Sequence, residues 1–129
     1  MNEKPTKVII TGDAKIEYDK LLSMVEHEKQ AGITKSDHQI LLKAIVHKIE
    51  ILRTNPDFGV HIPKNQIPKE YILKYEINNL WKINLSGYWR LLYTLRGDKL
   101  EIIALILDII DHKIYNKKFE YKKYSLQQS

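Results

Sequence analysis

A chain of 129 residues with no cysteine is sized for one domain, and it has neither a disulfide framework nor a thiolate metal site. Its net charge of +5 is unevenly placed: residues 1–60 carry 9 Lys+Arg and 9 Asp+Glu, residues 61–129 carry 12 and 7, so the second half should face a polyanion or an acidic partner. No apolar run approaches the roughly 20 residues of a membrane span, and the start lacks a signal-peptide core, so the expected compartment is the cytoplasm and no membrane partner is expected.

Lys7 to Thr11 reads as a short strand, ended by Gly12-Asp13, where Asp13 can cap a following helix. From Ala14 to Ala31, Tyr18, Leu21, Leu22 and Val25 recur at helical spacing, and Gly32 is a stop signal. Ser36 with Gln39 has capping-box form. A second amphipathic helix follows, with Leu41, Leu42, Ile45, Ile49 and Leu52 on one stripe, ending before Pro56. The short link at 32–35 implies an antiparallel helix hairpin. Residues 56–76, with Pro56, Pro63 and Pro68, read as a connector that is long for a compact domain.

Asn79 to Tyr115 holds three segments rich in aromatic and β-branched residues, separated by Ser86-Gly87 and Gly97-Asp98. That pattern predicts two hairpins in series, a three-stranded antiparallel meander. A two-residue loop would set Leu85 opposite Tyr88. A three-residue loop, Leu85-Ser86-Gly87, places glycine last, where a left-handed residue is wanted, and sets Lys82 opposite Arg90. The second register is preferred, because it gathers Trp81, Ile83, Trp89, Leu91, Tyr93 and Leu95 on one face for the helix stripes to cover. It places two cations side by side, which is unfavourable unless the side chains splay into solvent or hold an anion such as phosphate. On the opposite face of the last strand, Ile103, Leu105 and Leu107 need cover from the C-terminal segment or a partner. Asp108 and Asp111 read as a solvated strand end rather than an acid–base pair.

His112 to Tyr124 reads HKIYNKKFEYKKY, the start of a Lys/Tyr-rich tail over about 112–129. Lysines interleaved with Tyr115, Phe119, Tyr121 and Tyr124 suit single-stranded nucleic acid, where bases stack and phosphates pair. The alternative is a segment that packs its aromatics on the sheet, and Phe119 fits that better. His27, His38, His47 and His61 show no metal-ligand spacing, so no metal and no cofactor are expected.

Order and motifs together resemble the RelE/ParE toxin superfamily, especially its archaeal members. The segment NLWKINLSGYWRLLYTL resembles that family's second and third strands, and DHKIYNKKFEYKK resembles the basic end after its last strand. The resemblance spans residues 7–124 in topology and is specific from Leu80 to Tyr121. It implies an α+β fold: N-terminal strand, antiparallel helix hairpin, three-stranded antiparallel meander and a short C-terminal segment, in a single domain over 1–129. It further implies a toxin of a type II toxin–antitoxin system, a metal-independent ribonuclease that cuts messenger RNA on the ribosome. Lys82 matches a strand lysine used for binding or as a base, and Arg90 the arginine that holds the phosphate. His112, Lys113 and Tyr115 fall where an acid and a stacking tyrosine stand. Lys82, Arg90, Lys113, Lys117, Lys118, Tyr121 and Lys122 would bind RNA. Asn84 departs from the pattern, standing where a second lysine is common, and this leaves the general base open, with Glu70 and Glu76 as further candidates. Expected partners are an acidic or amphipathic antitoxin, the ribosome and messenger RNA. The ParE-like branch, which acts on gyrase, and a non-catalytic RNA- or antitoxin-binding module are the alternatives.

Overall fold

The computed structural model describes residues 5–119. The order is β1 (Thr6–Ile10), α1 (Gly12–Gln30), α2 (Asp37–Thr54), β2 (Val60–His61), α3 (Lys69–Tyr75), β3 (Trp81–Asn84), β4 (Trp89–Gly97) and β5 (Ile102–Asp111). A last helix, α4, runs over 112–119. The five strands form one mixed sheet in the order β1-β5-β4-β3-β2, with β1 parallel to β5 and the other pairs antiparallel. The chain is therefore α+β, with the expected helix hairpin and meander enlarged by β2 and α3, both from the connector.

The hairpin forms where its capping chemistry allows. Ser36 is the N-cap of α2, and its hydroxyl accepts from the Gln39 backbone N–H. The Gln39 side chain does not return to Ser36, as a capping box would have it. Its amide donates to the Ile33 carbonyl at 2.9 Å and to the Glu28 carboxylate at 3.2 Å. Glu28 also accepts from the Ser36 hydroxyl and meets His38 Nδ1 at 2.7 Å, so four side chains tie the end of α1 to the start of α2. Those hydrogen bonds, the Ser36 hydroxyl first and His38 next, hold the Glu28 carboxyl below its ordinary range. The cap of α1 differs from expectation: Thr11 is the N-cap, and Asp13 lies inside the first turn, paired with Lys74.

One face of the sheet packs on the helices as its alternation predicted. Trp81, Ile83, Trp89, Leu91, Tyr93 and Leu95 join Ala14, Leu21, Val25, Leu41, Ile45 and Leu52 in one cluster. Tyr93 is fully buried there and donates to the Pro56 carbonyl at 2.7 Å, while the Gly59 N–H donates to the Tyr93 oxygen at 2.9 Å. Burial raises its phenol to about 12.

The second face is also buried. Ile62, Ile67 and Tyr71 from the connector, with Ile77 directly after it, cover Leu80, Leu92, Leu107 and Ile110, with Leu105, Tyr115 and Phe119 packed alongside. The connector is thus a second wall of the core. Leu105 and Leu107 receive their cover from it and from α4, and Phe119 packs as its apolar character suggested.

A bulge in β5 alters the reading of its acids. Leu92 pairs with Asp108 and Tyr93 with Ile106, so Leu107 is the extra residue. Asp108 consequently turns into the second core. It is 3% exposed, accepts from the Tyr71 hydroxyl at 2.7 Å and meets Lys118 Nζ at 3.3 Å. It is not a solvated strand end. Asp111 instead accepts from the Ile114 N–H and so caps α4.

Candidate nucleic-acid interface

The β3–β4 hairpin sets the site, and its register differs from the preferred one by one step of the loop. Leu85 N–H bonds to the Trp89 carbonyl, so the loop is Ser86-Gly87-Tyr88. Asn84 stands opposite Arg90, and Lys82 opposite Leu92. Lys82 and Arg90 are therefore diagonal neighbours on one face, not directly opposed. The shift by two residues preserves the face, because side chains alternate with period two. It also relieves the cation–cation opposition: the residue across from Arg90 is a neutral amide, and the one across from Lys82 is a leucine.

Both cations converge on one ring. Lys82 Nζ lies 5.3 Å and Arg90 Cζ 5.8 Å from the centroid of Tyr115, within the range of cation–π attraction. The first turn of α4, capped by Asp111, carries Tyr115 over the sheet. Phe119, one turn on, stacks against it at 4.3 Å. Arg90 donates to the Trp89 carbonyl at 3.1 Å, and its buried Nε has no hydrogen-bond partner. Among the described residues, no carboxylate lies within ion-pair distance of either cation. An unpaired buried donor is costly, and its presence calls for an explanation. Burial raises the Tyr115 phenol above its ordinary value, against the opposing pull of Arg90.

The remaining candidates separate. His112 contacts the Tyr88 ring at 5.2 Å. Lys113 and Lys117 are exposed. Lys118 is committed to structure, bridging Asp108 at 3.3 Å and Glu70 at 3.4 Å while lying over the Tyr71 ring. Glu70 is thereby occupied, and Glu76 is an exposed left-handed cap of α3. Tyr121 and Lys122 lie outside the described residues. Tyr88, absent from the sequence-derived candidates, stands at the same end of the site. Its signal was an aromatic residue directly after Ser-Gly, where the turn wanted a small one. Among the described residues no group of His, Asp and Glu is arranged to hold a metal, and no helix is long and apolar enough to cross a membrane. An open cleft of about 660 Å³, lined by Thr6, Arg53, Asn55, Asp57, Leu95 and Ile102, lies apart from these groups. Comparison with protein families, with curated proteins and with solved structures finds no match.

Proposed function

We propose that the chain is the toxin of a type II toxin–antitoxin system, a metal-independent endoribonuclease that cuts messenger RNA on the ribosome. The observation that carries the reading is the convergence of Lys82 and Arg90 on Tyr115, with neither cation paired to an acid among the described residues. The resemblance of Leu80–Tyr121 to RelE/ParE toxins supports it, as does the cationic surplus of the second half. Partners under this reading are messenger RNA, the ribosome and an acidic or amphipathic antitoxin.

The chemistry needs no cofactor. An RNA 2′-hydroxyl attacks the adjacent phosphorus, the new O–P bond forms, and the bond to the 5′-oxygen breaks. The products are a cyclic phosphate and a 5′-hydroxyl. Arg90 would hold the phosphate and stabilise its developing charge. Tyr115 would supply a proton to the departing 5′-oxygen, and Lys82 would bind the phosphate or take the proton of the attacking hydroxyl. His112 would act through a substrate that spans both it and the cation pair.

The position of His112 against Tyr88, together with the capture of Glu70 by Lys118, favours as second reading a non-catalytic RNA-binding module with the same surface. Programmed ribosomes decide between them. The nuclease reading expects messenger RNA to be cut by the protein with ribosomes and chelator present, and expression to arrest growth. Intact messenger RNA with retained RNA affinity would replace it by the binding-module reading. Growth arrest with intact messenger RNA and no RNA affinity would favour a ParE-like action on gyrase.

A further inference from the structure

We propose that Tyr88, packed on His112, is a stacking platform for one base of single-stranded RNA, next to the phosphate position at Arg90 and Lys82; this rests on the RNA reading above. The starting point is a side chain in an unfavourable backbone state. Gly87 and Tyr88 both have φ of +65°. Glycine adopts this region freely and asparagine with little strain, whereas a bulky side chain does so at a cost. Burial does not offset that cost, because Tyr88 is 70% exposed. Its ring meets His112 at 5.2 Å with the planes tilted by 54°. A strained aromatic residue held largely in solvent points to a role outside the fold.

Its location says which role. Tyr88 precedes Arg90 by two residues, about 7 Å along an extended chain. A nucleotide can bridge that span between its phosphate and its base. His112 opens α4, the helix that carries Tyr115 to the cation pair, so the Tyr88–His112 contact lies at the same end of the same face. His112 supports the Tyr88 ring from one side, leaving much of that ring open. Lys113, which follows His112 in sequence, is exposed to a neighbouring phosphate. Every base has a π-face, so such a platform would hold RNA with little sequence preference. The phosphate subsite and the platform divide the work: charge at Arg90 and Lys82, stacking at Tyr88.

The test is fluorescence anisotropy with a labelled short single-stranded RNA, compared with the same strand made abasic at each position in turn. The intact strand should bind the wild type about tenfold more tightly than one of the abasic strands, within the range for a single stacked base. Tyr88→Ala should lose that factor and bind both strands alike, while Tyr88→Trp should keep it. Tyr88→Gly should lose the factor and yet raise the thermal midpoint, because it relieves the left-handed strain. A tyrosine that only shaped the turn would show the reverse, lower stability with an unchanged preference for the intact strand, and that result would overturn the platform. Arg90→Ala should weaken intact and abasic strands equally. If Arg90→Ala weakens binding and Tyr88→Ala leaves the preference for the intact strand in place, the platform is wrong and the RNA reading stands. If the wild type binds neither strand, the platform falls; the RNA reading fails with it only when messenger RNA on programmed ribosomes also stays intact.

Discussion

Removing the carboxylate of Asp108 should loosen the second core. Asp108→Ala takes away the acceptor of the Tyr71 hydroxyl and one of the two partners of Lys118. Leaving a buried hydroxyl unpaired costs about 1–3 kcal/mol. Stranding a fully buried charge would cost about 3–5 kcal/mol, but Lys118 keeps Glu70 and is itself 23% exposed, so its share is well below that. A total of about 2–3 kcal/mol follows, or a fall in the thermal midpoint on the order of 10 °C for a domain of this size. Tyr71→Phe should cost about 1.5–3 kcal/mol, since its hydrogen bond goes to a charged acceptor. The double variant should fall short of the sum by about 1–2 kcal/mol, because both single changes remove the same bond. Urea unfolding followed by tryptophan fluorescence measures all four corners of the cycle. Additive losses, or an Asp108→Ala protein as stable as the parent, would refute the buried contact and with it the anchoring of α4 that brings Tyr115 to the cations.

Gly59→Ala should destabilise by about 1–3 kcal/mol in the same assay, because the added methyl would sit 2.9 Å from both the Lys82 carbonyl and the Tyr93 hydroxyl. Glu28, with its pKa held below the ordinary 4.5, contributes stability that is fully present above that pH and is lost as pH falls below it; Glu28→Gln should flatten this acid limb of a pH–stability curve. Tyr93, raised from 10.0 to about 12, contributes stability present below pH 10 and lost as pH rises through 12, so Tyr93→Phe should flatten part of the alkaline limb.

The helix hairpin and the tryptophan-bearing sheet face were legible because each follows one period. Leu41, Ile45, Ile49 and Leu52 repeat at helical spacing, and Trp81, Ile83, Leu91 and Tyr93 alternate. The second core was not, since Ile62, Ile67, Tyr71 and Ile77 follow no period and sit among prolines. The continuous apolar run of β5 hinted at burial on both faces. The bulge at Leu107 escaped notice because no residue type marks it, and it alone turns Asp108 inward. Lys82 and Arg90 share a face despite the error in register, because the error was two residues, which exchanges partners and keeps faces. Tyr88 was missed because a left-handed position was assigned to the glycine alone.

Arg90 carries the proposed chemistry. Single-turnover cleavage of messenger RNA on programmed ribosomes, with chelator present, should slow by about 10²–10³ in Arg90→Ala, the effect of one well-placed donor to developing charge, roughly 3–4 kcal/mol. Arg90→Lys should recover part of the rate, because it restores the charge without the planar fork. Unfolding midpoints within a degree or two of the parent would show that the loss is chemical. A folded Arg90→Ala protein that cuts at the parental rate would contradict the assignment of this face as the site.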